Sequence, residues 1–208
     1  NLLSTLHNEE VQLHKTPGKV VQQSDFNVTT SDIVTPEEGQ IVVEVNWLSM
    51  DMYLYERAVG NRMGPQLELG KRIPGRGTGV VVAGALPIGT RVMGNVGWQR
   101  YATVDAQSVQ VLSPDADQES LYLSVLGVPG LTAWIGLNKV LNMKPDQTLL
   151  VSSAAGTVGQ IVCQLALDAG LKVVGIAGGP NKAAHLKEIG VPRIIDRLSV
   201  TNWNTELR

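Results

Sequence analysis

Leu149-Leu-Val-Ser-Ser-Ala-Ala-Gly-Thr-Val-Gly159 is the stretch on which the fold turns. Leu149, Leu150 and Val151 predict a short buried strand. Ser152 to Thr157 are small, so another molecule's backbone or phosphate can come close. From Thr157 the period turns helical, with Val158, Ile161, Val162, Leu165 and Ala166 on one face. A strand, a tight turn and a helix N-terminus make an anion site. The first helical N–H groups lack carbonyl partners, and the helix dipole is positive there. Ala155, Gly156, Thr157 and Val158 are the candidate cofactor contacts. The pattern predicts dinucleotide binding and, with it, oxidoreductase chemistry. The strict fingerprint is G-x-G-x-x-G. Here Gly156 and Gly159 are the only glycines of the run, with the small Ser153 and Ala155 before Gly156. The alternative is an ordinary strand-to-helix turn of an α/β protein.

The residues downstream strengthen the cofactor reading. Ala169-Gly170 is a glycine stop for the helix. Lys172 to Ile176 predict a second buried strand, which completes a βαβ unit. A site for NAD wants an acidic residue about 20 residues past the glycines, on the ribose 2′-OH. This chain has Ala177-Gly-Gly-Pro-Asn-Lys182 there, with a lysine and no carboxylate. A 2′-phosphate needs cations and is repelled by an acid, so NADP(H) is favoured, with Gly178 and Lys182 among its contacts. The alternative for Lys182 is a solvated lysine at a helix start. A second helix is expected from Asn181 to Ile189, and a third strand from Arg193 to Asp196. Arg197 then follows as a second phosphate contact or as a surface arginine.

Composition narrows the field. The chain has 208 residues, 43% hydrophobic, with a formal net charge of −2. That describes a soluble globular protein with room for one large or two modest domains. No apolar run reaches the ~18 residues of a membrane span, and no signal peptide is legible. No basic patch interleaved with aromatics points to nucleic acid. The single cysteine, Cys163, cannot form an internal disulfide and fits a reducing, cytoplasmic setting. It reads as a small buried apolar residue. His7, His14 and His185 lack the paired spacing of a metal site, so no metal is expected. A nucleotide-binding sheet of this type reaches about six strands, whereas the sequence stops after its third. Either the chain is part of a longer protein, or a partner chain covers the open edge; the intact mass of the material discriminates the two.

Residues 1–124 differ in kind from residues 125–208. Ile41 to Val45, Gly79 to Ala83, a stretch after the turn Pro87-Ile-Gly-Thr90, and Trp98 to Val104 predict short strands separated by Gly/Pro turns. Pro74-Gly-Arg-Gly-Thr-Gly79 leads into the second of them. This is the pattern of a β-rich barrel or sandwich. A helical stretch from Leu131 to Leu141 joins the two parts, and the boundary is expected near Ser120–Gly127.

Five motifs then stand in order: Leu48-Ser-Met-Asp-Met-Tyr53, Pro74-Gly-Arg-Gly-Thr-Gly79, Gly97-Trp-Gln-Arg-Tyr101, Val128-Pro-Gly-Leu-Thr-Ala-Trp134 and Ser152-Ser-Ala-Ala-Gly-Thr-Val-Gly159. Together they resemble the medium-chain dehydrogenase/reductase superfamily, and within it the zinc-independent leukotriene/prostaglandin reductase and alkenal double-bond reductase branch. The resemblance implies an α/β chain. A GroES-like domain spans 1–124, and 125–208 form the first half of a Rossmann NADP-binding domain whose remainder is absent. Zinc members of the superfamily carry Gly-His-Glu where this chain has Gly75-Arg76-Gly77, and a cysteine just before Asp51, so no zinc site is implied. The branch has proline at Met52, which predicts a different local turn, and tyrosine at Arg197.

The resemblance further implies reduction of the C=C bond of an α,β-unsaturated aldehyde or ketone by NADPH. Negative charge builds on the carbonyl oxygen, which without zinc needs a hydrogen-bond donor. Tyr53 matches the tyrosine at the nicotinamide end, as donor or as orienting group; its alternative is an amphipathic residue at a domain surface. Thr132 would touch the nicotinamide, or else only cap a helix start. Trp47, Met50 and Trp98 are candidates for an apolar substrate wall, or core residues. The branch implies a homodimer in the intact protein. Two other classes stay open: a zinc-free NADPH quinone oxidoreductase, and a non-catalytic nucleotide-binding fragment.

Overall fold

Ile41, Val42 and Val43 are buried in succession, and neighbours along a strand point to opposite faces, so their strand must be covered on both sides. The computed structural model, which describes residues 6–60, 64–113 and 118–207, shows how. Two units divide between Leu123 and Ser124. The first holds β1 (His7–Leu13), β2 (Phe26–Asp32), β3 (Gln40–Leu48), the helix α1 (Met52–Ala58), β4 (Arg76–Gly84), β5 (Arg91–Asn95), β6 (Tyr101–Asp105) and β7 (Gln110–Val111). β1 and β2 form an antiparallel pair, and the other five make an antiparallel sheet in the order β6-β3-β4-β5-β7. Ile41 and Val43 of β3 pack with Val81 and Val92. A second cluster under α1 gathers Leu13, Leu54, Ala58, Leu67 and Ile73.

The glycine-rich run expected to lead into a strand lies mostly inside it. A Cβ on Gly79 would stand 2.2 Å from the Glu44 carbonyl oxygen, and one on Gly77 would stand 2.6 Å from that of Trp47. Only glycine lets β4 lie this close to β3, along a stretch where the register shifts between Val45 and Trp47. The expected fourth strand begins at Tyr101 and not at Trp98; Trp98 instead packs on the cluster under α1. α1 was not anticipated. Its first residue is Met52, and Asp51 before it is extended at φ −91°, ψ 134°. A proline at 52 would accept this geometry and forfeit no helical bond there. Met52→Pro is expected to stabilise the chain by roughly 0.4–1 kcal/mol. Calorimetry would then show a melting temperature higher by about 1–4 °C.

The second unit holds α2 (Val128–Ile135), β8 (Thr148–Val151), α3 (Thr157–Asp168), β9 (Lys172–Ala177), α4 (Pro180–Glu188), β10 (Arg193–Asp196) and the short α5 (Trp203–Glu206). Its three strands are parallel in the order β10-β9-β8, the first half of a doubly wound nucleotide-binding sheet. Leu149, Val151, Val173 and Ala177 of the sheet pack with Cys163 and Ala166 of α3 and Leu186 of α4. Cys163 is fully buried, and burial pushes its thiol pKa up. The helix expected over Leu131–Leu141 starts earlier, at Val128, and widens to a π-helix over Gly136–Leu141 before Asn142 ends it at φ 47°. No helix among the described residues is long and apolar enough to cross a membrane.

Candidate cofactor-binding site

β8 delivers the chain to the C-terminal end of the parallel sheet, and the turn that follows is built from backbone. The Gly156 N–H donates to the Ser153 carbonyl at 2.8 Å, and the Ala154 N–H reaches across to Ile176 of β9 at 2.9 Å. Ser153, just ahead of the run that ends on Gly159, takes a left-handed conformation at φ 49°, at a cost of roughly 1 kcal/mol. Gly156 caps α3 at φ −79°, ψ 168°, and no side chain caps the helix. The first amides of α3, beginning at Thr157 and Val158, therefore have no intrahelical acceptor. Gly156, Thr157 and Val158 are exposed and Ala155 half-buried, so these four residues form one open backbone cradle. Gly159 sits behind it, where α3 crosses closest to the loop.

The second feature lies at the ends of β9 and β10. Gly178 and Gly179 follow β9, and Gly179, at φ 90°, starts α4. The Arg197 guanidinium lies against Gly178: a Cβ there would stand 3.0 Å from Nε and 3.3 Å from Cζ. Arg197 is exposed, and its guanidinium has no hydrogen-bond partner among the described residues. Lys182 is exposed in the first turn of α4, which carries no acidic residue. A lysine at the positive end of a helix is unfavourable by itself, and becomes favourable beside a bound anion. The cradle over α3 suits the diphosphate, and the two cations beyond β9 the 2′-phosphate, of a 2′-phosphorylated dinucleotide.

Sequence reasoning missed Asp196. Its Oδ1 accepts the Gly179 N–H at 2.8 Å and the Leu198 N–H at 3.0 Å, and these two bonds hold its pKa below the usual carboxylate range. An aspartate that closes a strand and precedes a turn is the available signal. Thr132 lies inside α2, which Gly127 caps, and its hydroxyl donates to the Val128 carbonyl at 2.7 Å. Its capping alternative therefore fails. Thr132 is exposed, on a helix that packs against α3.

In the first unit, Tyr53 is half-buried on α1, beside the cluster of Leu13 and Leu54. Burial first, and then the Asp51 charge, raise its phenol pKa. The phenol is thus a neutral donor throughout the neutral range. An apolar cavity of about 290 Å³ opens next to α1, lined among others by Phe26, Met50, Met52, Leu54, Tyr55 and Trp98. Met50 and Trp98 both border it, and Trp98 also packs on the core cluster under α1. Trp47 is 54% exposed and lies outside the lining. Tyr55, which was not anticipated, borders the cavity and donates its hydroxyl to the Gly18 carbonyl at 3.0 Å. Among the described residues, no three His, Cys, Asp or Glu side chains gather as a metal site would require.

Comparison with known proteins agrees with this architecture. The family described as the N-terminal domain of oxidoreductase matches residues 9–112. Prostaglandin reductase 1 of Oryctolagus cuniculus is 36% identical over 174 residues, covering 80% of this chain and 48% of its own. The NADPH-dependent curcumin reductase of Escherichia coli is 34% identical over 169 residues, covering 79% of this chain and 49% of its own. The crystal structure of CurA from Vibrio vulnificus in complex with NADPH superposes with a TM-score of 0.87 at 29% identity, covering 96% of this chain and 60% of that one. The chain spans about half the length of the curated relatives it matches.

Proposed function

We propose, for a chain that belongs to the medium-chain dehydrogenase/reductase superfamily and to its prostaglandin and alkenal reductase branch, NADPH-dependent reduction of the C=C bond of α,β-unsaturated aldehydes or ketones. The observation that carries the cofactor half is the pairing of an open, uncapped α3 N-terminus with Arg197 seated on Gly178, with no acid after β9. Ala155 to Val158 bind the diphosphate through backbone amides, and Lys182 and Arg197 hold the 2′-phosphate. When bound, NADPH supplies the hydride. Thr132 presents its exposed side toward the nicotinamide. Tyr53 holds a proton on its phenol oxygen and donates a hydrogen bond to the developing enolate oxygen or to the nicotinamide carboxamide. Met50 and Trp98 exclude water from an apolar acceptor. The buried thiol of Cys163 suits a cytoplasmic setting, and the intact protein is proposed to dimerise.

Oxidation of NADPH, followed by its absorbance with a simple enone and separately with a quinone, tests this. Turnover of the enone with transfer to the β-carbon supports it. Turnover of the quinone alone replaces it with a quinone oxidoreductase, and NADPH binding without any turnover replaces it with a non-catalytic nucleotide-binding protein. Tyr53→Phe is expected to lower kcat about tenfold, the worth of one lost hydrogen bond to a developing charge. The rate in the wild-type protein should carry no ionisation of Tyr53 in the neutral range, because its pKa is raised. An unchanged kcat in Tyr53→Phe would remove the residue from the mechanism.

A further inference from the structure

Of the residues that end β8, β9 and β10, Asp196 alone is acidic, and it stands next to the arginine assigned to a phosphate. A free carboxylate there would repel that phosphate. Its Oδ1 is instead occupied by two amides, one from each loop: Gly179 at 2.8 Å and Leu198 at 3.0 Å. The Arg197 N–H donates to the Ala177 carbonyl at 2.8 Å. The Ser199 N–H and hydroxyl both donate to the Asp196 carbonyl, at 3.0 and 2.9 Å. Residues 177–179 and 196–199 are thereby stitched into one plate, on which the Arg197 guanidinium rests against Gly178.

We propose that Asp196 is a positioning residue for 2′-phosphate recognition: by tying Gly179 to the loop after β10, it fixes the surface that carries the Arg197 guanidinium. This rests on the NADP(H) reading above and deepens it. Asp196 does not touch the phosphate; it acts through Gly179 and Arg197. Selectivity for the 2′-phosphate then depends on a carboxylate that sequence rules would count against it.

The test is calorimetric titration of the chain with adenosine 2′,5′-bisphosphate and with adenosine 5′-monophosphate. Asp196→Ala is expected to weaken the bisphosphate about tenfold, since hydrogen bonds to a charged group contribute about that much, and to leave the monophosphate unchanged. Asp196→Asn, whose amide oxygen accepts the same two N–H groups, should retain most of the preference. Gly178→Ala probes the same surface by another route: its methyl pushes the guanidinium by a few tenths of an ångström, and the preference should fall, by less than in Asp196→Ala. This variant keeps the proposal testable if Asp196→Ala melts out. Equal losses on both probes, no loss in Asp196→Ala, or an Asn variant that behaves like Ala would each overturn the assignment to Asp196 alone. A wild-type chain with no preference for the bisphosphate would overturn the NADP(H) reading, and this inference with it.

Discussion

Gly159→Ala is expected to abolish NADPH binding and to destabilise the second unit. The added Cβ would stand 2.4 Å from the Ser153 carbonyl oxygen, 2.8 Å from the Ala154 Cα and 2.9 Å from the Ala154 carbonyl oxygen. All three are backbone atoms of the loop that leads into the cradle, so no side chain can turn aside to make room. Either α3 retreats from the loop or the loop distorts, and both move the amides of Thr157 and Val158 off the phosphate. Overpacking of this kind costs about 3 kcal/mol. Fluorescence titration with NADPH and a thermal melt followed by circular dichroism read the two effects separately. Gly156→Ala and Gly136→Ala calibrate them. A Cβ on Gly156 meets only the Ser153 oxygen, at 3.1 Å, and one on Gly136 meets nothing within 4 Å. Gly156→Ala should therefore be milder, and Gly136→Ala neutral or slightly stabilising in its helical setting. A Gly159→Ala chain that binds NADPH as the wild type does would show that the loop is not the phosphate site.

The second large effect concerns charge. Removing both cations, Lys182→Ala with Arg197→Ala, is expected to weaken NADPH by about 100-fold or more while leaving NADH nearly unmoved. A hydrogen bond to a charged group contributes about 1.5–3 kcal/mol, and each 1.4 kcal/mol is a factor of ten. The two residues would grip the same phosphate, so their single losses need not sum to the double one. The wild-type preference should also shrink as ionic strength rises, since both side chains are exposed. Paired titrations with NADPH and NADH at two salt concentrations measure all of this. NADH binding as tightly as NADPH in the wild type would sink the cofactor assignment.

The parallel half of the fold was legible because its signals are local. β8, α3, β9, α4 and β10 are each announced by an apolar run, a period change or a glycine stop. Gly170 and Gly190 follow their helices at φ 76° and 87° as such stops do. The first unit hides its signals in long-range contacts. β1 buries Asn8, whose side chain bonds Gln99 and accepts the Tyr101 N–H, so a polar residue holds an inward position and no alternation appears. β2 is mostly exposed beyond Phe26. α1 is seven residues long, too short for a periodic signal. The π-helix over Gly136–Leu141 differs from an α-helix by one residue per turn, which composition does not encode. In the site, the cradle, Gly178, Lys182 and Arg197 could be named from spacing. The left-handed Ser153 and the cross-loop bonds of Asp196 could not, because they depend on where two distant loops meet.

Cys163 carries a consequence of another kind. It is the chain's single thiol and has no exposed surface, so a thiol-reactive dye reaches it only when α3 lifts from the sheet. Its labelling rate is therefore a built-in clock for opening of the second unit. A molecule that binds only the closed state at about 100 times its Kd should slow that clock about 100-fold. Ligands for this chain can be ranked by that retardation alone, without any assay of turnover.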